Sequence, residues 1–134
     1  MLKVDKYFVF VSDSFDSVSF TSVGCYFPGS GLIPSLEGED SRLDGGNYKV
    51  RTDAIGKCAS VAKQRGYKVF ALYDGGRCLS SSNAHMTFQR YGKSYHCKSD
   101  GRGGKLGNHV YVIGGIEGMF IFFFLWFIKI NETC

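Results

Sequence analysis

The hydrophobic positions along the chain change period several times, and each change marks the border of an element. An apolar run at Tyr7, Phe8, Val9, Phe10 and Val11 is interrupted by Asp13, Asp16 and several serines, so residues 1–21 read as an N-terminal extension. Val23–Tyr26 predicts a short strand around Cys25, after which Pro28, Gly29, Gly31 and Pro34 break regular structure and lead into a polar loop running to Tyr48. Thr52 or Asp53 then supplies an N-cap, and Ala54, Ile55, Cys58, Ala59, Val61 and Ala62 recur at helical spacing until Gly66 stops the helix. Tyr67–Tyr73 is rich in aromatic and branched residues, Asp74-Gly75-Gly76 is a turn, and Arg77–Ser80 returns as the paired strand. Alternation along this hairpin puts Tyr67, Val69, Ala71 and Tyr73 on one face, with Lys68, Phe70 and Leu72 on the other. Ser82 or Asn83 caps a short helix through Arg90, Gly92 ends it, and Val110–Ile113 closes the module as a strand beyond a glycine-rich stretch. The pattern predicts an α+β module over residues 22–113, in which one main helix, Asp53–Arg65, packs on a small antiparallel sheet.

Cysteines say what holds such a module together. A chain of 134 residues allows one domain with a modest core, for which covalent bonds are the usual reinforcement. Cys25, Cys58, Cys78 and Cys97 are spaced about twenty or more residues apart, unlike the close pairs of metal sites, and so predict disulfides. Disulfides in turn predict an extracellular or cell-surface location. Three pairings are open to four cysteines; a helix crossing its neighbouring hairpin brings Cys58 near Cys78 and so favours Cys58–Cys78 with Cys25–Cys97. Cys134 stands outside the module.

The ends of the chain pull in different directions. Lys3 and Lys6 give a basic start, but the apolar stretch after them is about five residues where a secretory signal needs roughly 7–15, so the start lies elsewhere or export takes another route. Met119–Ile128 is ten apolar residues in a row, five of them phenylalanine. Ten helical residues reach about 15 Å, half of a bilayer core. Extending the segment back to Val110 gives the length but takes in Gly114, Gly115, Glu117 and Gly118 and consumes the last strand. For residues 114–134 a membrane segment drawn from residues 110–130, a buried element and a tail foreign to the domain all stay open. Lys98, Arg102, Lys105 and His109 before the run, against Lys129 after it, would put the module on the cytosolic side, contrary to the disulfides. Asn131-Glu132-Thr133 is a glycosylation sequon that could be used only in the lumen.

Charge and candidate chemistry narrow the function. The net charge of +4 is mild and its lysines and arginines are scattered, which excludes a phosphate-tracking stripe; no nucleic-acid partner is expected, although a basic surface outside a cell can meet acidic glycans. Glu37, Glu39, Asp40 and Asp44, close to Gly38, Gly45 and Gly46, are oxygen ligands on a bendable backbone and form a candidate calcium site, with a solvated acidic loop as the alternative. No other cofactor is expected. His96 adjoins Cys97, but neighbours in an extended chain point to opposite faces, so a cysteine nucleophile is not expected there. His85 reads as a surface or packing residue, and the Gly101–Gly107 loop lacks the Lys-Ser/Thr of a phosphate loop. Tyrosines are more promising, because sugar rings present C–H faces that stack on aromatic side chains while their hydroxyls need polar partners. Tyr67, Tyr73, Tyr91, Tyr95 and Tyr111 are candidates, with core packing as the competing role. The candidate ligand-binding set is Tyr67, Tyr73, Arg77, Tyr91 and Asn108.

Lys57-Cys58-Ala59, Arg65-Gly66-Tyr67-Lys68-Val69-Phe70-Ala71, Gly75-Gly76-Arg77-Cys78, Tyr91-Gly92-Lys93-Ser94, Cys97 and Asn108-His109-Val110-Tyr111 together resemble a small cysteine module found repeatedly in secreted multidomain proteins of marine invertebrates. That module is similar, more distantly, to the WSC domain and to PAN/apple domains, where a cysteine on a helix is tied to a neighbouring sheet. The resemblance implies extracellular binding of a glycan or glycoprotein without catalysis. The chain departs from it in having only four internal cysteines, and in carrying Arg77 and Leu106 where the small module often has tryptophan. The expected function is therefore a non-enzymatic binding module, the alternative being a structural or adhesive domain anchored to a membrane and lacking a sugar site.

Overall fold

A computed structural model describes residues 18–114. Its sheet has four strands, β1 (Phe20–Tyr26), β2 (Val69–Tyr73), β3 (Arg77–Ser80) and β4 (Asn108–Ile113), in the order β1-β4-β2-β3. Every neighbouring pair is antiparallel. The last strand thus inserts between the first and the hairpin, so the sheet closes only when the whole module is present. The main helix α1 (Ala54–Gln64) and a single-turn helix α2 (Ala84–Thr87) complete the regular elements, with short 3-10 turns at Ser41–Leu43 and Tyr48–Val50. The expected α+β architecture, one main helix on a small antiparallel sheet with disulfides, is what the chain adopts.

Helix α1 begins and ends where its sequence signals stand. Asp53 occupies the N-cap with φ +50° but makes no side-chain capping hydrogen bond. At the other end Gly66 adopts φ +78°, its N–H donates to the Lys63 carbonyl, and the Tyr67 N–H donates to the Ala62 carbonyl. This is a Schellman closure, and it places Tyr67 back against the helix side of the sheet. The expectation that Tyr67 shares a face with Val69, Ala71 and Tyr73 is therefore overturned. Tyr67 packs with Phe70, Leu72 and the α1 residues, whereas Val69, Ala71 and Tyr73 belong to the opposite layer. The strand starts at Val69, so the alternation cannot be extended back through the helix stop.

Both faces of the sheet are covered. Ala54, Cys58, Ala59, Val61 and Ala62 of α1 bury against Phe70, Leu72, Cys78 and Tyr111. On the other face Ala84, Phe88 and Ile33 cover Val69, Ala71, Val110 and Val112. Cys58–Cys78 ties α1 to β3, and Cys25–Cys97 ties β1 to the segment before β4. The exposed edge of β3 is closed by the segment before the 3-10 turns: Leu36 N–H donates to the Cys78 carbonyl at 2.8 Å and Ser80 N–H to the Pro34 carbonyl at 3.0 Å. Such closure blocks pairing of the edge with another chain. Val110–Ile113 are strand residues of β4, so they are not available to the longer membrane segment drawn from residues 110–130. No described helix is long and apolar enough to cross a membrane. The Tyr7–Val11 run, the Met119–Ile128 run, the sequon and Cys134 lie outside the described residues.

Candidate functional site

Register brings three of the five expected ligand-binding residues into one line. Asn108 pairs with Tyr26 on one side and with Tyr73 on the other, and Tyr73 pairs with Arg77. Directly paired residues in antiparallel strands project to the same face. Tyr26, Asn108, Tyr73 and Arg77 thus form a row across all four strands, about 14 Å long at ordinary strand spacing. The row lies at the end of the sheet that carries the β2–β3 turn.

Its polar atoms are unusually placed. Asn108 is only 1% exposed, and its Oδ1 has no hydrogen-bond partner among the described residues. Arg77 Nε is likewise buried without a partner. The Arg77 guanidinium carbon stands 4.9 Å from the Tyr48 ring centre and 6.0 Å from that of Tyr73, and Nη2 donates to the Tyr48 hydroxyl at 3.2 Å. That hydrogen bond raises the Arg77 pKa further, so its charge is permanent. Tyr48 donates in turn to Asp74 Oδ2 at 2.9 Å, and Lys49 Nζ lies 3.7 Å from the same oxygen. At the far end of the row, Lys93 Nζ is 6.0 Å from the Tyr26 ring centre.

The glycine-rich loop serves this arrangement. Arg102 donates to the carbonyls of Gly75, Arg51, Tyr48 and Lys49, and the N–H groups of Asp74 and Gly75 donate to the carbonyls of Gly104 and Arg102. A side chain at Gly103 would collide with the Leu72 carbonyl, and one at Gly104 with that of His96, so these glycines permit close backbone approach. The loop pins Tyr48 to the turn beside Arg77.

Other expected residues go elsewhere. Tyr67 lies on the helix face, as described above. Tyr91 is 53% exposed, lies outside the paired strands, and its ring lies on Gly29. Tyr95 is 94% exposed, while Tyr111 is a core residue stacked on Phe70 and donating to the Gly101 carbonyl; burial raises its hydroxyl pKa to about 12. The four candidate calcium ligands are not brought to a common point. Glu37 pairs with Arg51, Glu39 with Arg65 and Asp40 with Arg42, whose hydrogen bond lowers the Asp40 pKa to about 2, while Asp44 ends a 3-10 turn. Among the described residues no three His, Cys, Asp or Glu side chains are placed to hold a metal ion. Cys97 is in its disulfide, and His96 lies against the Phe27 ring.

Sequence reading missed Tyr26, Tyr48 and Lys93. Tyr26 carried a weak signal as the last residue of a predicted strand; Tyr48 and Lys93 carried none, since their roles arise from loops folded against the row. The chain matches no protein-family model and no curated protein.

Proposed function

We propose that this chain is a non-enzymatic binding module working outside the cell, with a carbohydrate or glycoprotein as its ligand. The observation that carries this reading is the partly exposed Tyr73 ring beside the partly exposed Arg77, whose Nη1 makes no hydrogen bond among the described residues. A sugar can lay a C–H face on the Tyr73 ring while one of its hydroxyls or an anionic oxygen accepts from Arg77 Nη1. Two disulfides are compatible with an extracellular location. A glycan array with the full-length oxidised chain tests the reading. Reproducible binding to a sugar class, weakened about tenfold or more in Tyr73→Ala and retained in Tyr73→Phe, supports it. A blank array with correctly disulfide-bonded protein overturns it and favours the adhesive alternative.

A further inference from the structure

We infer that the ligand of the Tyr73–Arg77 end of the row is a sugar bearing a carboxylate, taken by the Arg77 guanidinium; this rests on the carbohydrate-binding reading above. Charge around the β2–β3 turn is the first ground. Glu37 and Asp74 are the carboxylates whose charge reaches Arg77, and both are engaged, Glu37 by Arg51 and Asp74 by Lys49 and Tyr48. Arg102 neutralises no carboxylate, because its donors go to main-chain carbonyls. Arg77 has no carboxylate within ion-pair distance among the described residues and donates only to a phenol. This end of the sheet therefore carries more positive charge than its own acids balance, which draws an anion.

Geometry is the second ground. A guanidinium is planar, and the N–H groups on its two Nη atoms fit the two oxygens of a carboxylate. The rings of Tyr48 and Tyr73 flank the Arg77 guanidinium and hold it in place, and Nη1 is the donor left over among the described residues. Tyr73 and Arg77 are directly paired, so an anion-binding donor and an aromatic ring stand side by side on one face. A sugar acid presents the matching pair of a carboxylate and an apolar C–H face.

Calorimetric titration of the full-length oxidised chain decides the point. The probes are sialyllactose, a glucuronate-containing disaccharide and a galacturonate trimer, each against its carboxyl-reduced counterpart, with a sulfated galactose disaccharide as a separate arm. At least one acid form is expected to bind about tenfold or more tighter than its reduced form, and Arg77→Gln to remove that difference. Equal affinity for acid and reduced forms overturns the carboxylate assignment and leaves carbohydrate binding standing. A sulfated probe that binds as tightly as the best acid also overturns it, since the site would then select charge alone. Absence of binding to every sugar overturns both. Should Arg77→Gln fail to fold, the comparison of acid with reduced form on the unaltered chain still separates these outcomes.

Discussion

Arg51 takes a formal charge into the interior, with only 5% of its side chain exposed, and meets Glu37 through two hydrogen bonds. Its remaining donors reach the carbonyls of Leu43 and Gly76, while Glu37 Oε2 also accepts the Cys78 N–H at 2.9 Å. The pair thus clamps the acidic loop onto β3 beside the inner disulfide. Arg51→Ala would leave Glu37 partly buried without its counter-charge, and urea denaturation should find a loss of about 3 kcal/mol, the low end for buried pairs because Glu37 keeps 22% exposure. Burial raises the Glu37 pKa, but the hydrogen bonds from Arg51 and Cys78 and the charges of Arg51 and Arg77 outweigh it and hold it below the ordinary value of 4.5. A carboxyl with a depressed folded-state pKa stabilises the fold above its unfolded pKa and loses that contribution as pH falls through the folded one. Stability should therefore drop as pH falls through and below the ordinary value of 4.5, and Glu37→Gln should flatten that drop. An unchanged acid limb in urea titrations of Glu37→Gln would rule the pair out as its source.

Two disulfides divide the work of joining elements. Cys58–Cys78 closes 20 residues and joins α1 to β3; Cys25–Cys97 closes 72 and joins β1 to the approach of β4. Chain entropy alone assigns about 3 kcal/mol to the shorter loop and about 4.4 kcal/mol to the longer one. The Cys25→Ala/Cys97→Ala double variant is expected to lose more stability in urea than Cys58→Ala/Cys78→Ala. The reverse order would mean that packing of the fully buried inner pair outweighs loop closure. Gly107 is bound to the outer bridge, since a Cβ there would lie 2.7 Å from both Cys25 and Cys97 sulfurs. Gly107→Ala should consequently yield protein with the Cys25 and Cys97 thiols free, detected by alkylation and peptide mapping.

For the molecule as a whole, oxidation bears on stability and on the proposed extracellular location. All four internal cysteines are in bridges, so alkylation of the native, unreduced protein should label none of them and alkylation after reduction should label all. Four reactive thiols in protein recovered from its natural source would remove the ground for placing it outside the cell. The antiparallel order β1-β4-β2-β3 also makes the proposed site a property of the complete module, because its row draws one residue from each strand.

Much of the architecture was legible in the order of residues because its signals are local. A small-residue stripe ended by Gly66 marks α1, Asp74-Gly75-Gly76 marks the hairpin, and the short reach from helix to hairpin favours Cys58–Cys78. Tyr73, Arg77 and Asn108 could be named from residue chemistry and resemblance, but nothing local says that they meet. Their meeting depends on β4 inserting beside β2 with Asn108 opposite Tyr73, a register set by long-range pairing. Tyr67 escaped strand alternation because the helix closure reverses the face that alternation alone would assign. The acidic loop resembled a cation site until folding gave Glu37, Glu39 and Asp40 an arginine each, Arg51 and Arg65 from distant positions and Arg42 from nearby. By itself the sequence determined the elements and their favoured staples, because helix stops, turns and loop closure act over short spans. Tertiary structure alone decided which side chains share a face and which polar atoms are left without partners, because strand register and charge pairing join residues far apart in the chain.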